Sequence, residues 1–179
     1  MVQLIELLEN RNAVRILMFF LRKPTMQTYQ QNIRKEVKLA KATLIKWLKY
    51  LEKINMLNVL KYGRTKVYSL NRENILIKHL KIMDNLALIS EIKKILNMHN
   101  LEAYLYGSAA RGEDTEDSDI DLLIIGKIKK EEIIQEISRV SESIKRPIKF
   151  EIFSNMEWSR MAKKDRAFYE RVEKDKISL

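Results

Sequence analysis

The stretch that decides the fold runs Leu105-Tyr-Gly-Ser-Ala-Ala-Arg-Gly112, then Glu113-Asp-Thr-Glu-Asp-Ser118, then Asp119-Ile-Asp-Leu-Leu-Ile-Ile125. Leu101 to Tyr106 reads as a short strand, and Asp119 to Ile125 reads as the next one. Side chains alternate along a strand, so Asp119 and Asp121 face the same way, about 7 Å apart. Two carboxylates at the mouth of an apolar strand repel each other and resist burial. A divalent cation between them reverses that penalty, and oxygen-only ligands suit magnesium. Gly107 permits a sharp exit from the first strand and a close backbone approach. Ser108 offers a hydroxyl and a backbone N–H to phosphate oxygens, helped by the dipole of any helix that starts there.

Working outward, a helix is expected from about Lys130 to Ile144, followed by a strand from Pro147 to Phe153. Glu151 lies within that strand and is the candidate third carboxylate of a two-metal site. Ser154 and Glu157 form a capping-box pattern, and helices are expected near Met156 to Lys163 and Arg166 to Val172.

This constellation resembles the nucleotidyltransferase superfamily of the DNA polymerase β type, and most closely its minimal nucleotidyltransferases. The shared pattern is a strand, Gly-Ser, about ten residues, then Asp-x-Asp on the next strand. Here ten residues, Ala109 to Ser118, separate Ser108 from Asp119. The resemblance covers about residues 86–179. It implies that Gly107, Ser108 and Arg111 contact a nucleoside triphosphate, and that Asp119, Asp121 and Glu151 are catalytic and bind one or two Mg2+. The family often has Asp where this chain has Glu151. The implied chemistry is in-line attack of an acceptor hydroxyl on the α-phosphate of ATP or another NTP. Small members often pair with a HEPN-type helical partner protein as its antitoxin, and some transfer AMP to that partner.

The front of the chain has a different character. Residues 1–99 hold 19 Lys and Arg against 7 Asp and Glu, whereas residues 100–179 hold 15 against 17. A basic module joined to a slightly acidic one suggests two partners. Val14, Leu17, Met18 and Leu21 share a helix face that ends before Pro24. Thr28 is placed to cap a short helix to about Lys35. Leu44, Trp47, Leu48, Leu51 and Ile54 define a longer helix, and Asn55 suits the left-handed residue after it. Leu57 to Tyr62 and Val67 to Leu70 flank a turn at Gly63 and read as a hairpin. The stretch Arg72 to Met98 reads as one long amphipathic helix.

Three helices and a hairpin resemble a winged helix-turn-helix domain over residues 10–71. The resemblance implies DNA binding, with Lys41, Thr43 and Lys46 on the recognition helix. Lys38, Lys49, Arg64 and Lys66 are expected on phosphates. Such modules commonly act as dimers, and an apolar arm, Met1 to Leu8, suits a homodimer.

The expected fold class is α+β: a winged helix-turn-helix over 1–75, a helical connection over 76–98, and a nucleotidyltransferase domain with a mixed sheet over 99–179. The absence of cysteine excludes disulfides and thiolate zinc sites, and with only His79 and His99 no histidine metal site is expected. No apolar run approaches the roughly 20 residues that span a bilayer. The opening segment lacks signal-peptide character, so a cytoplasmic protein is expected. Three functions stay open: transfer of AMP to a protein, nucleotide sensing by a non-catalytic DNA-binding regulator, and transfer to a nucleic acid.

Overall fold

Apolar periodicity in the front of the chain becomes a layer of helices packed on a small sheet. The computed structural model describes residues 4–179, and the chain divides into two units, Met1–Lys78 and His79–Leu179. The first unit contains α1 (Leu4–Glu9), α2 (Arg11–Arg22), β1 (Gln27–Tyr29), α3 (Gln30–Val37), α4 (Lys41–Lys53), β2 (Leu57–Tyr62) and β3 (Thr65–Leu70). The three strands pair antiparallel in the order β1-β3-β2. Asn10 starts α2, its side chain accepting from the N–H groups of Asn12 and Ala13. Ile16 and Phe20 of α2 and Leu44, Leu48 and Leu51 of α4 are fully buried. Each such side chain contributes about 1.5–3 kcal/mol relative to exposure.

Two expectations for this region need correction. Thr28 does not cap α3. It lies in β1 opposite Tyr68, with its side chain buried, and α3 begins after Tyr29. A three-residue strand is too short to announce itself by alternation, and only pairing with β3 defines it. Of the apolar arm Met1 to Leu8, residues 1–3 lie outside the described residues. In α1, Leu7 is buried while Ile5 and Leu8 are exposed. Asn55 has φ 60°, the left-handed conformation its place after α4 requires.

The chain continues into α5 (Ile75–Leu88), α6 (Ile92–Met98), β4 (Glu102–Tyr106), α7 (Gly107–Arg111), β5 (Ile120–Ile125), α8 (Lys130–Ile144), β6 (Ile148–Phe153), α9 (Asn155–Lys164), α10 (Arg166–Asp175) and β7 (Ile177–Ser178). The expected single helix over Arg72 to Met98 is thus two helices. The turn between them is closed by bonds from Ser90 N–H to Ala87 O and from Ile92 N–H to Ile89 O. Ile89 and Ile92 both bury in the core, so apolar periodicity runs through the turn and conceals it. Both α5 and α6 contribute to the core of the second unit through Leu86, Ile92, Ile95 and Leu96, rather than acting as a tether.

The second sheet has the order β6-β5-β4-β7 and is mixed: β5 and β6 are parallel, the other pairs antiparallel. One face, with Ala103, Leu105, Leu122, Ile124 and Phe150, packs with α6 and α8. The other, with Leu123 and Ile125, packs with Trp158 of α9 and Val172 of α10. Ser154 and Glu157 cap α9 reciprocally, as their spacing anticipates. The fold class is α+β. Among the described residues, no helix is long and apolar enough to cross a membrane.

Candidate active site

Antiparallel pairing of β4 with β5 brings the two halves of the 105–125 stretch together. Tyr106 and Asp121 are direct partners at the end of the ladder, so Gly107 leaves β4 beside the Asp121 carboxylate. Gly107 has φ +72°, and a Cβ built there would lie 2.7 Å from Asp121 Oδ2. The positive φ favours glycine, and any Cβ there would also push the Asp121 carboxylate aside. Ser108 follows in the first turn of α7, half-buried.

Asp119 and Asp121 are both half-buried. Burial is the main cause that pushes the Asp121 carboxyl above its ordinary range, and the negative charge of Asp119 adds to it; Lys149, Arg171 and Arg146 oppose the rise. Lys149 Nζ sits 2.5 Å from Asp119 Oδ2. It belongs to β6, where it is the direct partner of Asp121. An acidic pair that crowds its own charges and draws in an ammonium group has the chemistry of a hard-cation site. Its oxygen donors fit magnesium.

Glu151 lies in the middle of β6 as the partner of Leu123, and it is exposed. By alternation it shares the sheet face of Asp121, one step further along. Burial, then the charges of Asp121 and Glu151, push the Tyr106 hydroxyl up, so both carboxylates act on this ring. Among the described residues no three metal-ligating side chains are already gathered around one point. Two open grooves of about 460 and 550 Å³ flank β6, and both include Glu151 and Lys130 in their walls.

Arg111 is placed differently from its motif neighbours. Its Nε donates to Glu113 at 2.9 Å and its Nη1 to Asp175 at 2.5 Å, which pins α7 to the end of α10.

A buried polar network, not visible in the sequence reading, holds the loop between Ser108 and Asp119. Asp114 is 1% exposed and Asn85 is 1% exposed. Asp114 faces Lys81 Nζ at 3.0 Å and Arg146 Nη2 at 2.8 Å, and it accepts from Asn85 Nδ2 at 3.0 Å. Asn85 Nδ2 also donates to the Ala109 carbonyl at 3.0 Å. Arg146 Nε donates to the Ser118 carbonyl at 2.7 Å, next to Asp119, and Nη1 to Asn85 Oδ1 at 3.0 Å. Asp114 sits in a run of four acidic residues within six positions, and nothing in sequence separates it from its solvated neighbours.

In the first unit, Lys38, Lys41, Lys46, Lys49 and Arg64 are exposed and Thr43 is half-buried. Lys66 is engaged with Glu52 at 3.4 Å. Lys38 is itself the left-handed residue that ends α3. Shallow grooves of about 320 and 400 Å³ follow α3, walled by Arg34 with Lys41 and by Arg34, Lys35 and Lys38. Arg34 and Lys35 are additional basic residues that the helix reading left unassigned.

Residues 88–174 match the family model described as the nucleotidyltransferase domain. The second unit carries a nucleotidyltransferase domain, which points to nucleotidyl transfer as its general class of activity. In comparisons with curated proteins and with solved structures, nothing matches.

Proposed function

We propose that the chain transfers a nucleoside monophosphate, AMP from ATP, to an acceptor hydroxyl on a partner protein. The observation that carries this reading is the convergence of Gly107 and Asp121, which the motif requires and which the missing Cβ of Gly107 makes room for. Asp119 and Asp121 would hold magnesium, with Glu151 as the third acidic residue. The bound ion would neutralise charge on the triphosphate and on the departing pyrophosphate. Gly107 and Ser108 orient the triphosphate through backbone N–H groups and the Ser108 hydroxyl. The acceptor oxygen forms a bond to the α-phosphorus as the bond to the bridging oxygen breaks. Pyrophosphate leaves, and Glu151 takes the acceptor proton.

The first unit is read as a winged helix that binds DNA through the residues named above. DNA binding would tether the enzyme or let it regulate its own operon. A HEPN-like protein is the preferred acceptor, which makes the pair antitoxin-like, acting in the cytoplasm with the first unit as a homodimer. A nucleic acid is the second candidate acceptor, favoured by the Arg34, Lys35, Lys38 and Lys41 grooves.

Incubation with magnesium, α-labelled ATP and the partner tests the reading. Label should appear on protein. Asp119→Ala with Asp121→Ala should lower transfer by at least about a thousandfold. Label on nucleic acid would redirect the acceptor assignment. No transfer, together with full biological function in the double variant, would overturn catalysis in favour of a nucleotide-sensing DNA-binding regulator.

A further inference from the structure

Lys149 has no place in the motif, yet the fold brings its ammonium onto Asp119 of the acidic pair. It is the register partner of Asp121 on β6, and its ammonium reaches Asp119 Oδ2 at 2.5 Å. The lysine side chain is 70% exposed, the aspartate 30%. β6 is the outer strand of its sheet, so Lys149 approaches from the open side. These facts combine tight seating with easy release. The ammonium is held by one carboxylate oxygen, its stem is solvated, and leaving returns it to water at little cost. Asp119 is one of the two carboxylates that would hold a metal ion, so the ammonium and the ion would compete for the same negative charge. Two cations cannot share that carboxylate at full strength, since each repels the other.

We propose that Lys149 is an internal competitor for the cation site: it neutralises Asp119 when no divalent ion is bound, yields when one arrives, and so sets the metal affinity. This inference rests on the reading of Asp119 and Asp121 as metal ligands. It assigns a specificity-determining role to a residue outside both halves of the motif. A strongly bound hard cation displaces the lysine readily, and a weak one does not.

The test is binding of Mn2+ alone to the full-length, metal-free protein, followed by the electron paramagnetic resonance signal of the free ion. Manganese takes the same oxygen ligands as magnesium. Lys149→Met should tighten Mn2+ binding by about two- to fivefold, the range an exposed ion pair can supply. Lys149→Arg keeps a cation in reach of Asp119 and should stay close to wild type. Lys127→Met removes the same charge from an exposed site in the same unit and should also leave affinity unchanged. Equal or weaker binding by Lys149→Met overturns the inference while leaving the metal reading intact. So does an equal gain in Lys127→Met, which would trace the effect to net charge. Absence of Mn2+ binding in every protein overturns the inference and the metal reading together.

Discussion

In the first unit, Lys38, Lys41, Lys46, Lys49 and Arg64 stand exposed on helices and a turn. In the second unit, Asp114 is fully enclosed, Asp121 is half-buried, and Arg146 spends its donors on Ser118, Asn85 and Asp114. Exposed charges in water act nearly independently and are screened by salt. Enclosed charges act as a set, because removing one leaves the others facing an uncompensated cost. The first arrangement suits a surface that sums many weak contacts with a polyanion. The second suits a site in which few groups must hold fixed positions.

This contrast can be broken at its strongest point by Asp114→Asn. The substitution keeps the shape but leaves Lys81 and Arg146 facing a neutral amide. It should destabilise the protein by about 3–5 kcal/mol, read as a lower midpoint in urea unfolding. An effect near zero would show that the network is solvated and that the two regions do not differ as described.

Gly107→Ala comes next. The added Cβ meets Asp121 Oδ2 at 2.7 Å and the backbone has φ +72°. A cost of about 1–2 kcal/mol in stability is expected from the backbone alone. Displacement of Asp121 should add a tenfold to hundredfold loss of transfer, since small misplacements of reacting groups cost about that much. Labelling assays and urea unfolding on the same preparation separate the two effects.

Removing charges from the open surface should act additively. Lys38→Ala with Lys41→Ala should weaken DNA binding and flatten its dependence on salt, by roughly one unit of log–log slope for each lysine. Gel-shift titrations across salt concentrations measure this. An unchanged slope would remove both lysines from the DNA surface.

The smallest effect is expected at the α9 cap. Hydrogen bonds from Ser154 hold the Glu157 carboxyl below its ordinary value of 4.5. A carboxyl depressed in the folded state contributes stability above the unfolded value, and that contribution is lost as pH falls through the folded one. Ser154→Ala should therefore lower the melting temperature slightly at neutral pH. The difference from wild type should shrink as the pH drops below 4.5. A difference that persists in acid would place the loss in the helix cap itself rather than in the charge.

How far the sequence could be read varied with the range of the interaction involved. The helix α8 has the ends expected from its own residues, Lys130 and Ile144, because amphipathic period and capping are local. Strand β1 was hidden because three residues carry no periodicity of their own. The turn between α5 and α6 was hidden because buried Ile89 and Ile92 continue the apolar spacing across it. In the candidate site, the approach of Gly107 to Asp121 was legible because both motif halves are short and lie on consecutive paired strands. Glu151 was legible only as a carboxylate in a strand. Its exposure on the edge strand follows from sheet order, which no local pattern records.

The sequence by itself determined the basic and acidic halves, the helices with clear faces, and the Gly-Ser and Asp-x-Asp elements on consecutive strands. These depend on contacts between residues close along the chain. Only the tertiary structure decided that Lys149 reaches Asp119, that Asp114 is enclosed by Lys81, Asn85 and Arg146, and that Arg111 is pinned to Asp175. Each of these pairs joins residues at least 29 positions apart. Charge alone cannot tell a solvated lysine or aspartate from an enclosed one, because the difference lies in what distant segments cover.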